Sequence, residues 1–107
     1  MMNVDKITYK GRERLKRGTL KSFTDLPVDI QKKFINIRLF LVEYFGNELE
    51  VYVHGSYKHG CWDELSDYDV IIYEKLGHNI DNYILENIGV KANVFSTDNK
   101  IGVILIP

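Results

Sequence analysis

Val51-Tyr-Val-His-Gly-Ser56, followed after nine residues by Ser66-Asp-Tyr-Asp-Val-Ile-Ile-Tyr73, is the stretch whose reading decides the fold. Glu50 to His54 reads as a short strand that Gly55 ends. Tyr68 to Tyr73 reads as a second strand, rich in the β-branched residues that strands prefer. Successive strand side chains point to opposite faces, so Asp67 and Asp69 share one face and Tyr68 takes the other. Two neighbouring carboxylates on one face repel each other. A hard divalent cation relieves that repulsion, and Mg²⁺ is usually held by one or two carboxylates plus substrate phosphates. An isolated Asp-x-Asp is weak evidence, because a solvated strand end carries it equally well. Gly55 permits unusual backbone angles and close backbone approach, and Ser56 adds a hydroxyl. A turn of that kind can direct N–H groups at an anion.

Upstream, Leu26-Pro27 opens a helix, with Thr24 and Asp25 as candidate caps. Ile30, Phe34, Ile37, Leu41 and Phe45 recur at helical spacing and define its core face. Gly46 supplies the stop. Downstream, a short helix is expected over residues 80–88, a third strand over 90–96 and a turn over 97–100. A fourth strand over 101–106 is expected to run antiparallel to the third. Helix, strand, strand, helix, strand, strand specifies an α+β domain, with a small mixed sheet packed on helices.

The chain has 107 residues and 45% hydrophobic residues, enough for one compact domain and too few for two. No apolar run approaches the roughly 20 residues that cross a bilayer, so no membrane role is expected. The first residues lack the apolar core of a secretory signal, and the single cysteine, Cys61, cannot close an internal disulfide. A cytoplasmic setting is the expectation. Charge is lopsided. Residues 1–22 carry seven basic and two acidic residues, whereas residues 23–107 carry seven basic and thirteen acidic ones. The first 22 residues therefore read as a basic arm or short helix, and residues 23–107 as the domain. Such an arm can meet nucleic acid, nucleotide phosphates or an acidic partner, or can be a solvated terminus.

Gly55-Ser56, the nine-residue interval, and Ser66-Asp67-Tyr68-Asp69 together resemble the signature of the nucleotidyltransferase superfamily, the DNA polymerase β-like fold. The likeness is to its minimal members in particular, and Gly60 falls where those proteins commonly carry a glycine. The resemblance covers roughly residues 26–96. It implies transfer of a nucleoside monophosphate from an NTP, ATP first, to a hydroxyl on a protein or small molecule. It implies that Gly55 and Ser56, with Ser66 and Lys58 beside them, bind the nucleotide. Asp67 and Asp69 would be the catalytic ligands of Mg²⁺. It further implies a separate acceptor, a helical partner protein being one candidate. Larger members of the superfamily append a helical domain that binds the acceptor, whereas this chain stops at Pro107, so the acceptor is expected to be a separate molecule or to bind a second copy of the domain.

The chain departs from the pattern in two places. The family places a third catalytic carboxylate on the strand after the next helix, and the position here that aligns best is Asn93. Asparagine offers an oxygen but no charge and no base near neutral pH. Losing a general base typically costs about 10²–10⁴ in rate. Asp98 in the following turn is a poor substitute. Arginines that often follow the Gly-Ser pair are replaced by Tyr57-Lys58-His59, where Lys58 or His59 can neutralise phosphate or simply form a polar turn. Three functions fit: an active enzyme, a degenerate nucleotide-binding module lacking the third carboxylate, or a nucleic-acid-binding or assembly protein that uses residues 1–22.

Overall fold

The computed structural model describes residues 5–45, 49–73, 85, 89–95 and 104–107. The helix expected over residues 80–88 lies outside them except for Leu85, which is helical and buried. The turn at 97–100 and Asp98 also lie outside the described residues.

The first described element is a hairpin, β1 (Asp5–Tyr9) paired antiparallel with β2 (Arg12–Lys16). Tyr9 faces Arg12 in the register, so Lys10 and Gly11 make a two-residue turn, with φ of 51° and 78°. Positive φ at both positions is the geometry that matches the twist of the flanking strands. The expected basic arm or short helix is thus corrected to a hairpin over residues 5–16. Its weak apolar alternation hid it, because only Arg14 of these ten strand residues is buried.

A single 3-10 turn, Phe23–Asp25, leads into α1 (Val28–Phe45). Asp25 accepts from the backbone N–H groups of Lys21 and Ser22, at 3.1 and 3.0 Å. Asp25 and Thr24 therefore belong to the turn and not to the cap of α1, whose first bond is accepted by the Pro27 carbonyl at 2.9 Å from Gln31 N. Phe34, Ile37 and Leu41 are buried, with Ile30 and Phe45 packed at the margin, so the face read from the spacing is the one that meets the core.

The main sheet is centred on β4 (Tyr68–Tyr73). It pairs antiparallel with β3 (Glu50–Val53) and parallel with β5 (Val90–Phe95). Of the fourth strand expected over 101–106, residues 101–103 lie outside the described residues, and residues 104–106 meet β3 instead of the expected β5. Val53 N donates to the Ile104 carbonyl and Ile106 N to the Val51 carbonyl, both at 2.9 Å, and Leu105 stands opposite Tyr52. The other edge of β3 would otherwise leave backbone groups without partners. Ile104 and Ile106, 2% and 1% exposed, complete the core there.

Phe34 ties the layers together. Its ring meets Tyr57 and Tyr68 edge-on, each at 5.3 Å between centroids, and it is fully buried. Phe34→Ala is expected to cost about 3–5 kcal/mol of stability. Urea unfolding should show this as a lower midpoint at an unchanged slope.

Candidate active site

The loop between β3 and β4 holds the first half of the site. Gly55 opens α2 (Gly55–His59) with φ +67°, and Gly60 closes it with φ +75°. A Cβ at Gly55 would fall 2.8 Å from Asp69 Cγ and 2.9 Å from Asp69 Cβ, and closer still to Oδ2. Glycine is needed because the Asp69 carboxylate lies against the turn. A Cβ at Gly60 would strike the Gly18 backbone, where the segment after the hairpin docks. Arg17 N donates to the Gly60 carbonyl and Leu20 N to that of Lys58, both at 2.8 Å.

Asp69 is buried and its neighbour Asp67 is exposed. Asp67 lies just before the first residue of β4, and Asp69 lies within it, beside the Gly55 turn. They, Ser56 and Ser66 line a cavity of about 190 Å³ together with Tyr9, Lys10, Arg12, Arg14 and Leu65. That is smaller than the about 300–1,000 Å³ of pockets that enclose drug-sized ligands, so this cavity has room for a small polar group and not for a whole drug-sized molecule. Lys58 is not among the lining residues, and His59 is exposed. His54, at the end of β3, has a buried Nδ1 with no hydrogen-bond partner, and burial pushes its imidazole below the usual histidine range.

Ser66 is engaged by its own loop. Its hydroxyl accepts from Asp63 N at 2.9 Å and from Arg14 NH1 at 3.0 Å, and donates to Asp63 Oδ1 at 3.1 Å. One proton and two lone pairs are all it has. It shapes the approach to Asp67 more than it offers a ligand. Burial pushes the Asp63 carboxyl up. The Ser66 hydroxyl, the Leu65 N–H and the Arg12 and Arg14 guanidinium groups outweigh that effect and hold it below the usual carboxylate range.

Cations from elsewhere in the chain converge on this face. Lys10 Nζ sits 3.3 Å from Asp69 Oδ2. Lys91 Nζ sits 3.1 Å from Asp67 Oδ2. Arg12 pairs with Asp63 at 2.9 Å. Arg14 is buried, donates to Ser66 and to the Cys61 carbonyl, and keeps an Nε with no hydrogen bond, its nearest carboxylate oxygen being 3.8 Å away on Asp63. Arg17 covers the Trp62 ring at 4.2 Å and donates to the Trp62 carbonyl at 2.8 Å. Lys10, Arg12 and Arg14 are site residues that the linear pattern missed. Their signal was the charge imbalance of residues 1–22, which is answered by the acidic rim of the same chain.

The register of β5 refines the question of the third carboxylate. Lys91 stands opposite Asp69, and Asn93 stands opposite Ile71, two pairs deeper along β4. Position 91 is a lysine, opposite Asp69 in the register and ion-paired with Asp67.

Among the described residues, no group of three His, Cys, Asp or Glu side chains could hold a metal ion. Asp67 and Asp69 nonetheless suit a hard cation: two oxygen donors lining one cavity, kept accessible by a glycine turn, with space for phosphate oxygens to complete the shell. Among the described residues no helix is long and apolar enough to cross a membrane. A family model described as a nucleotidyltransferase domain matches residues 31–101. The match takes in most of α1, both halves of the motif and β5, and begins after the hairpin. Comparison with curated proteins and with solved structures returned no match.

Proposed function

This chain belongs to the nucleotidyltransferase domain family, and we propose that it moves AMP from ATP, with Mg²⁺, to a hydroxyl on a separate protein or small molecule. The observation that carries this reading is that Asp67 and Asp69 line one cavity of phosphate size, with Asp69 set against the Gly55 turn. Asp67 and Asp69 hold the cation. Gly55 and Ser56 bracket the β,γ-phosphates. Ser66 holds the loop that carries Asp67 in place. When bound, Mg²⁺ polarises the α-phosphate and neutralises charge on the attacking and leaving oxygens. The acceptor oxygen forms a bond to the α-phosphorus, the bond to the β-phosphate oxygen breaks, and pyrophosphate leaves with that electron pair. The hydroxyl proton passes to water. Catalysis of this kind is positioning and charge neutralisation. Buried, unpaired Cys61 agrees with a reducing cytoplasm.

A second reading, a nucleotide-binding module with little turnover, is favoured by one feature: Lys91 and Asn93 occupy β5 where a carboxylate would serve as base. One experiment addresses both. The protein is incubated with α-labelled ATP, Mg²⁺ and candidate acceptors, alongside Lys91→Asp and Asn93→Asp. Label transfer by the wild type supports the enzyme. Transfer that rises by about 10²–10⁴-fold only on restoring a carboxylate supports the module. Neither transfer nor ATP binding in any form rejects both readings.

A further inference from the structure

We propose that Lys10, on the turn of the N-terminal hairpin, is a phosphate-binding residue that trades partners, holding Asp69 in the metal-free site and the triphosphate in the loaded one. This rests on the nucleotide reading above. Three observations lead to it. Lys10 Nζ lies 3.3 Å from Asp69 Oδ2 and lines the same cavity as Ser56 and Asp67. The other aspartate is treated alike, since Lys91 lies 3.1 Å from Asp67 Oδ2. The α2 loop brings no cation to the cavity wall, whereas the hairpin brings Lys10, Arg12 and Arg14.

Charge then dictates the exchange. Without metal, two ammonium groups balance two carboxylates. A divalent cation bound to Asp67 and Asp69 supplies the same two charges, and an ammonium against those oxygens becomes a competitor. A triphosphate arriving with the cation presents new oxygens within the same cavity. The Lys10 side chain is 54% exposed and sits on a two-residue turn, so it can move from one partner to the other without unpacking the core. Arg14 stays fixed beneath it, buried and bonded to Ser66 and Cys61, and keeps the hairpin seated while Lys10 moves.

This predicts opposite signs for two ligands, which a merely structural role would not produce. Calorimetric titration compares wild type, Lys10→Ala, Lys10→Arg and, as a control on the same hairpin, Lys6→Ala. The probes are Mg²⁺ alone and a non-hydrolysable ATP analogue with Mg²⁺. Lys10→Ala should bind Mg²⁺ alone about 2–5-fold more tightly, the value of one exposed ion pair removed as competitor. It should bind the analogue about 10-fold or more weakly, the value of one charge-assisted hydrogen bond. Lys10→Arg should restore analogue binding, and Lys6→Ala should match wild type. Unchanged analogue affinity in Lys10→Ala, or weakening of both ligands together, overturns the proposal while leaving the nucleotide site intact. A wild type that binds no analogue overturns the nucleotide reading and the role of Lys10 with it.

Discussion

Gly55→Ala is expected to destabilise the protein by roughly 2–5 kcal/mol and to remove nucleotide binding. The first part of the cost is conformational. Gly55 has φ +67°, and an L-residue in the left-handed region costs about 1–2 kcal/mol. The second part is steric. The new methyl would enter the space of the Asp69 carboxylate, with Cγ at 2.8 Å, and overpacking typically costs about 1–3 kcal/mol. Asp69 cannot retreat easily, because its backbone carbonyl accepts from His54 N at 2.9 Å and its neighbours Val70 and Ile72 are fully buried. Either the turn or the carboxylate must shift, and both belong to the site. Urea unfolding and calorimetric titration of a nucleotide analogue measure the two losses. A variant with wild-type stability and binding would show that the turn does not need glycine.

Asp69→Ala should behave in the opposite way, retaining the fold and losing the chemistry. Among the described residues its carboxylate pairs with half-exposed Lys10, and exposed ion pairs contribute about 0–1 kcal/mol. Removing it also frees space beside Gly55. Stability should therefore stay within about 1 kcal/mol of wild type. Label transfer should fall by about 10²–10³-fold or more, the loss that follows from deleting one preorganised electrostatic group at a transition state. Asp67→Ala should lose transfer similarly, with a smaller effect on the fold because Asp67 is more exposed. Transfer that survives both substitutions would place the reaction elsewhere. The contact between Gly55 and Asp69 also makes the two positions non-additive. Gly55→Ala combined with Asp69→Ala should be less destabilised than the two single effects summed.

The two variants separate what the aspartates do from what their surroundings do. Asp69 is a buried carboxylate that the fold accommodates, and Gly55 is the feature of the fold that makes room for it. The hairpin belongs with Gly55. It seats Arg14 in the loop of Asp63 and Ser66, and brings positive charge to a face that two aspartates would otherwise leave strongly negative.

By itself the sequence determined the strand Tyr68–Tyr73 that carries Asp69, the strand before Gly55, the buried face of α1 and the α+β class. Each of these is written locally. A strand alternates with period two and a helix with a period near 3.6, and a neighbouring glycine marks the turn. The family followed from the same few residues, and residues 31–101 match its domain. Tertiary structure alone decided three things. Residues 5–16 became a hairpin because the acidic loop at Asp63 and the aspartate at position 69 gave its cations partners, a contact that spans more than forty residues of chain. Residues 104–106 joined β3 and not β5 because that edge had unpaired backbone groups and an apolar gap. Lys91 came to face Asp69, rather than Asn93, because register is set by pairing between strands, and a single strand carries no record of it. The short-range patterns proposed the two aspartates, and the long-range pairings set a lysine against each of them.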